Sequence, residues 1–142
     1  MKLTLAEPKY LKDSVGVISD LVNEAKFIVK KECMELVAMD PANVAMVIFK
    51  LLSSTFTEYD VKENIELSIN LPQFKQILRR AKSNDMVTLE DEEGKLKVTF
   101  RSDTIRTFAV PIIEIEEKEQ RVPELLFPLS IETDARVLTE AI

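Results

Sequence analysis

The chain has 142 residues, 46% of them hydrophobic and 31% charged, with a formal net charge of −6 at neutral pH. It contains no histidine, two glycines (Gly16 and Gly94) and a single cysteine, Cys33. Those counts exclude a Ser-His-Asp triad, a Cys-His pair, most zinc sites, an internal disulfide and a glycine-rich phosphate loop.

The opening residues, MKLTLAEPKY, lack the apolar core of a signal peptide. The longest unbroken apolar stretch, Val44 to Phe49, is far too short to span a bilayer. The expectation is a cytoplasmic protein with no membrane partner, and a buried thiol at Cys33. The acidic balance speaks against nucleic acid at first sight, but its distribution matters more than its sum. Residues 71–82, LPQFKQILRRAK, carry four basic and no acidic side chains, which leaves −10 on the rest of the chain.

A short strand is expected over residues 2–6. Pro8 then opens a helix over 8–21, where proline is tolerated in the first turn. Leu11, Val15, Ile18 and Val22 recur at helical spacing and form its inner face. Gly16, in mid-helix, reads either as a place of close backbone approach or as a tolerated weak spot. Strands are expected over 26–30 and 34–39, joined by a tight turn around residues 31–33. Asp40-Pro41 is a turn signal, followed by a strand over 44–52, a looser connection over 53–60 and an alternating strand over 65–70. A second helix is expected over 71–82, with Asn70 as its N-cap, Pro72 in its first turn and Phe74, Ile77, Leu78 and Ala81 facing inward. Three further strands are expected over 86–91, 95–101 and 106–113, with Glu92-Glu93-Gly94 turning between the first two. Residues 114–120 hold four glutamates and one lysine and read as a linker. Pro123 and Pro128 bracket an extended segment, residues 129–131 read as a new strand, and Asp134 caps a helix running to Ile142.

The order of elements repeats. Leu3-Thr4-Leu5, Leu67-Ser68-Ile69 and Leu129-Ser130-Ile131 each lead into a helix. The unit of one strand, one helix and three strands occurs twice and begins a third time. Two such units make an α+β domain with two helices on one side of the sheets. The expected division is residues 1–115 as this domain, 116–126 as a connecting loop and 127–142 as the start of a truncated second domain.

Several strings in this order resemble the archaeal family of the proliferating cell nuclear antigen, the DNA sliding clamp. They are Asp20-Leu21-Val22-Asn23-Glu24-Ala25, Ala38-Met39-Asp40-Pro41 with Val44, Phe74 to Arg80, Thr107-Phe108 with Val110-Pro111, and Val122-Pro123-Glu124-Leu125. The likeness runs the length of the chain and covers about the N-terminal half of the family's subunit. It implies the DNA-clamp fold and a mechanical role without catalysis, metal or cofactor. Such a subunit joins a ring that encircles duplex DNA and tethers polymerase, nuclease and ligase through short peptide motifs, after a clamp loader opens it.

The resemblance also implies sites. Arg79 lies opposite the apolar face of the second helix, with Lys75 and Lys82 on one flank and Arg80 on the other; Lys9 and Lys12 lie off the apolar face of the first. On charge alone these are either a phosphate-facing lining or a solvated helix face. The resemblance favours the lining, with Lys9, Lys12, Lys75, Arg79 and Lys82 meeting the DNA backbone without reading bases. Asp13 and Asp20 would offset the first helix's lysines. For partner motifs the implied positions are Met39, Asn43 and Val44 on one wall and Val122, Pro123 and Leu125 on the connecting loop, although Met39 and Val44 also read as ordinary core. For the contact between subunits they are Arg80, Lys82, Thr107, Phe108, Ala109, Val110, Ile112 and Glu140. Residues 45–51 and 107–113 are expected to be outer strands open to self-association or to other clamp subunits. Two other readings stand beside this one. One is a carboxylate enzyme using Glu58, Asp60, Asp91 or Glu92. The other is a clamp-like module that joins or blocks a ring without holding DNA.

Overall fold

The structure is a computed structural model that describes residues 1–116 and 120–142. Its elements in chain order are β1 (Lys2–Leu5), α1 (Lys9–Leu21), β2 (Glu24–Val29), β3 (Cys33–Met39), β4 (Met46–Leu52), a 3-10 turn (Ser53–Thr55), β5 (Glu58–Asp60), β6 (Ile65–Asn70), α2 (Leu71–Leu78), β7 (Met86–Glu92), β8 (Lys95–Arg101), β9 (Ile105–Pro111) and α3 (Ala135–Ala141). The strands form two antiparallel sheets, β5-β1-β7-β8-β9 and β4-β3-β2-β6.

The repeat is real, and its two copies are interlocked. β1 pairs with β7 of the second unit, placing Leu3 opposite Leu89. β6 does the reverse and pairs with β2, placing Leu67 opposite Phe27. The triplets occupy equivalent places: Leu3, Leu5, Leu67 and Ile69 are buried in the core, and so are the polar residues between them, Thr4 and Ser68. Beyond β9 the chain crosses between the sheets, where the Ile113 N–H donates to the Ser68 carbonyl at 2.8 Å. The core includes the expected helix faces, Leu11, Val15 and Ile18 of α1 and Phe74 and Leu78 of α2. At its centre the Phe27 ring meets Phe49 and Phe74 edge-on, at 6.1 and 6.4 Å between centroids.

Turn chemistry explains where elements begin and end. The Asn70 side chain accepts from the Gln73 N–H at 3.0 Å, so it caps α2 as expected. α2 stops at Leu78 rather than Lys82, since the chain tightens into 3-10-type bonds from Arg80 N–H to Ile77 O and from Ala81 N–H to Leu78 O. β4 starts at Met46 rather than Val44, because the Asp40 carboxylate takes the Val44 and Ala45 amides at 2.7 and 2.8 Å. These amide donors, Ala45 foremost, hold the Asp40 carboxyl below its usual range. The β7–β8 hairpin turns on Glu93 and Gly94, both at positive φ (47° and 78°). Two left-handed central residues give the turn that matches strand twist, and only Gly94 was expected there. A Cβ at Gly16 would meet nothing within 4 Å, so this glycine serves no close approach.

Two expectations are corrected. Residues 53–60 are not simply a connection: β5 pairs with β1, with Leu3 opposite Tyr59. Its three residues, Glu-Tyr-Asp, are too few to show a period; Tyr59 packs against the core and its hydroxyl donates to the Lys30 carbonyl, while Glu58 contacts Lys2 (3.0 Å) and Thr4 (3.2 Å). Residues 129–131 form no strand, because no described strand lies beside them to complete a ladder. α3 does form, capped by Asp134 as expected, but every residue from 121 to 142 is exposed. Part of the expected acidic linker, residues 117–119, lies outside the described residues. Among the described residues no helix is long and apolar enough to cross a membrane, which says nothing of β-barrels.

Candidate functional site

α1 and α2 follow equivalent strands of the two units and pack against each other, so their outward faces form one surface. The tie between them is Lys75 of α2. Its Nζ donates to Asp20 at 2.8 Å and to the Gly16 carbonyl at 3.2 Å across the helix pair. Asp20 therefore answers a cation of α2 and does not offset the lysines of α1. Lys75, expected to meet phosphates, is instead engaged between the helices. Lys9, Arg79 and Lys82 are exposed, and Lys12 is half-buried. Arg79 sits outside a turn whose inner residues Leu78 and Ala81 are buried, as the helical spacing predicts.

Beyond α2 the basic residues are set by two side chains that sequence reasoning passed over. The Asp85 carboxylate, wholly buried, accepts from the Lys82 N–H at 2.6 Å and pairs with Arg106 of β9. Arg106 Nη1 also donates to the Arg80 carbonyl at 3.0 Å. Burial pushes the Asp85 carboxyl up, but the Lys82 amide, the Ser102 hydroxyl and the Arg106 guanidinium together hold it below the usual carboxylate range. A signal for this was legible: in β9, Phe108 and Val110 face inward, so period 2 turns Arg106 inward as well. A charged residue on an inward face requires a partner.

β9 ends one sheet and β4 ends the other, as expected for outer strands. On β9, Thr107 and Ala109 are exposed, while Phe108 and the following Ile112 are half-buried. Val110 was expected at a subunit contact, but its side chain lies wholly in the core, leaving only its backbone for one. Arg80 is exposed, with its guanidinium 5.2 Å from the centre of the Phe108 ring. Glu140, on α3, is exposed and has no ion-pair partner among the described residues. Beside β4, Val17 and Ile18 of α1 with Val47, Ile48 and Phe49 line a groove of about 360 Å³.

The expected partner-binding positions fall in two places. Met39 is half-buried at the end of β3, and Asn43 stands at positive φ (55°) in the turn that Asp40 organises. Val44 is 85% exposed at that turn, so its reading as core does not hold. Val122, Pro123 and Leu125 are exposed on the segment beyond the sheets. Among the described residues no hydrogen bond or ion pair joins the two groups.

The carboxylates of the enzyme reading are mostly engaged. Glu58 pairs with Lys2, Glu92 with Lys97, and Asp91 with the N-terminal ammonium. Among the described residues no group of three or more His, Cys, Asp or Glu could hold a metal ion.

Residues 1–120 match the family described as proliferating cell nuclear antigen, N-terminal domain. The DNA polymerase sliding clamp of Nanoarchaeum equitans is 34% identical over 145 residues, covering 100% of this chain and 58% of that protein. That of Thermococcus gammatolerans is 38% identical over 135 residues, covering 94% and 54%. The chain thus spans about half the length of the curated relatives it matches. The crystal structure of PCNA from Thermococcus kodakaraensis superimposes with a TM-score of 0.83 at 25% identity, over 87% of this chain and 51% of that one. A PCNA2-PCNA3 complex from Sulfolobus tokodaii gives a TM-score of 0.85 at 23% identity over 90% and 52%, and so speaks for the fold. The interlocked repeat, the paired helices and these likenesses agree: the chain belongs to the proliferating cell nuclear antigen, N-terminal domain family.

Proposed function

We propose that this chain is the N-terminal part of a DNA sliding-clamp subunit that encircles duplex DNA and tethers replication and repair enzymes without catalysing a reaction. The observation that carries the reading is the exposure of Lys9, Arg79 and Lys82 on the side of the paired helices, in a chain of net charge −6. A basic strip on an otherwise acidic body draws in the phosphate backbone on one side and repels it elsewhere. A few phosphate contacts per domain, none of them base-specific, leave a ring able to slide. On this reading residues 1–115 are one clamp domain, 116–126 the connecting loop and 127–142 the start of a second domain. Polymerase, clamp loader, nuclease and ligase would dock through short peptide motifs at Met39, Asn43 and Val44 together with Val122, Pro123 and Leu125, in a cytoplasmic, nucleoid-associated setting.

The test uses a ring-forming form that carries both clamp domains, loaded on nicked circular plasmid. Retention should be lost when the plasmid is linearised, and Arg79→Glu should weaken it and reduce its salt dependence. Equal retention on circular and linear DNA would refute encirclement. Unchanged salt dependence in Arg79→Glu would remove that residue from the DNA face.

Assembly gives a second expected result. Among the described residues β4 and β9 each pair on one side only, and such edges favour association. Light scattering of the 142-residue chain should show a mass above that of a monomer, rising with concentration. On the proposed reading Arg80 or Lys82 meets Glu140 of a neighbouring subunit. Arg80→Glu should then weaken association and adding Glu140→Arg should restore part of it. A concentration-independent monomer would overturn the expectation.

A further inference from the structure

We propose that Arg106 is a positioning residue for the segment that follows α2: it fixes Arg80 and Lys82 in the arrangement that faces the β9 edge and the phosphates. The functional half of this inference rests on the DNA-facing reading above. α2 is helical to Leu78, the Arg79 N–H still makes a helical bond to the Lys75 carbonyl (3.0 Å), and 3-10-type bonds turn Arg80 and Ala81. Two further contacts tie the segment after Arg79 to its surroundings. Asp85 holds the Lys82 N–H, and Arg106 holds both Asp85 and the Arg80 carbonyl. One guanidinium thereby spans a carboxylate and a main-chain carbonyl, which its planar fork allows and a lysine ammonium does not reproduce. A cation beside the last carbonyls of a helix is favoured in addition.

Aromatic rings complete the arrangement. The Arg106 guanidinium lies 5.5 Å from the centre of Phe100, and Arg80 lies 5.2 Å from that of Phe108. The two rings are 5.6 Å apart. The cluster therefore locks the end of α2 to β8 and β9 of the five-stranded sheet. It is not the arrangement that stability alone would select. Arg106 Nε has no hydrogen-bond partner among the described residues, and a buried ion pair is often matched or exceeded in stability by apolar residues of similar volume. What the pair supplies is geometry. Arg106 itself is only 28% exposed at its side chain, so its effect on DNA passes through its neighbours.

The experiment uses the full 142-residue chain and a fluorescently labelled duplex, with anisotropy recorded over about 50–200 mM salt. Arg106→Met should reduce the magnitude of the negative slope of log K against log salt by about 0.9, the loss of one phosphate contact, that of Lys82. Leu36→Ala, a core change in the other sheet, should leave the slope unchanged and so controls for lost stability. Arg106→Lys keeps the charge without the fork; it should stay folded and still show the reduced slope magnitude. Amide hydrogen exchange gives a second readout: protection of the Lys82 N–H should fall in both Arg106 variants and not in Leu36→Ala. A wild-type slope with wild-type Lys82 protection in folded Arg106→Lys would overturn the proposal. If Arg79→Glu leaves the slope unaltered, the DNA-facing reading fails instead, and Lys82 protection alone decides whether Arg106 positions this segment.

Discussion

Replacing Phe27 by alanine should cost about 4–5 kcal/mol, the upper part of the range for a buried phenylalanine. The ring is wholly buried, and it is the common neighbour of Phe49 and Phe74. Its loss empties the place where β4 and α2 meet the middle of the sheet. Removing it also removes two edge-on aromatic contacts, each contributing about 0.5–1.5 kcal/mol beyond area burial. Phe127 makes the contrast. It is 76% exposed, and Phe127→Ala should change stability by no more than about 0.5 kcal/mol. Urea denaturation at one fixed protein concentration measures both, since association shifts apparent stability. A Phe27→Ala loss below about 1.5 kcal/mol would mean that the site collapses around the gap, contrary to the packing described.

Asp85→Ala is the other large effect, and its size depends on pH. At pH 7 the expected loss is about 3 kcal/mol, the low end of the range for breaking a buried pair. The low end applies because the abandoned Arg106 retains 28% side-chain exposure and can reach water, whereas the Lys82 N–H loses its acceptor. The Asp85 carboxyl is held below its unfolded value, so its contribution is complete above about pH 4, the ordinary range of an aspartate. It is lost as pH falls through the folded-state value. Wild type should therefore lose stability in acid more steeply than Asp85→Ala, and the gap between them should narrow. Denaturation curves at pH 7 and pH 3 test this. An equal gap at both values would mean that the ionised carboxylate is not what stabilises this corner.

The amount legible in the sequence varied with the range of the interaction. The α1 face of Leu11, Val15 and Ile18, the Asn70 cap and the Asp134 cap were readable because each is set within one or two turns of chain. β5 was not readable, because three residues are too short to show a period and their partners, Lys30 for Tyr59 and β1 for the ladder, lie far away in sequence. The end of α2 was misjudged for a similar reason. Ala81 is buried at helical spacing, but the chain is turned there by Asp85 and by Arg106, which lies 26 residues from the carbonyl it holds. Lys75 was correctly placed off the apolar face, yet its partner Asp20 is 55 residues away, so its engagement between the helices could not be read from charge.

By itself the sequence determined the order of elements from β1 to β9 apart from β5, the twofold repeat, the faces that go inward and the basic character of the second helix. These follow from periods of 2 and 3.6 residues and from local turn chemistry. Tertiary structure alone decided which strands are neighbours. Alternation says which side chains share a face but not what lies beside the strand. Hence the exchange of β1 and β6 between the two units, which places Leu3 opposite Leu89 and Leu67 opposite Phe27, could not be read from either triplet. The exchange also sets the ends of the sheets: β4 ends one and β9 the other, opposite β6 and β5, while α1 and α2 pack against each other.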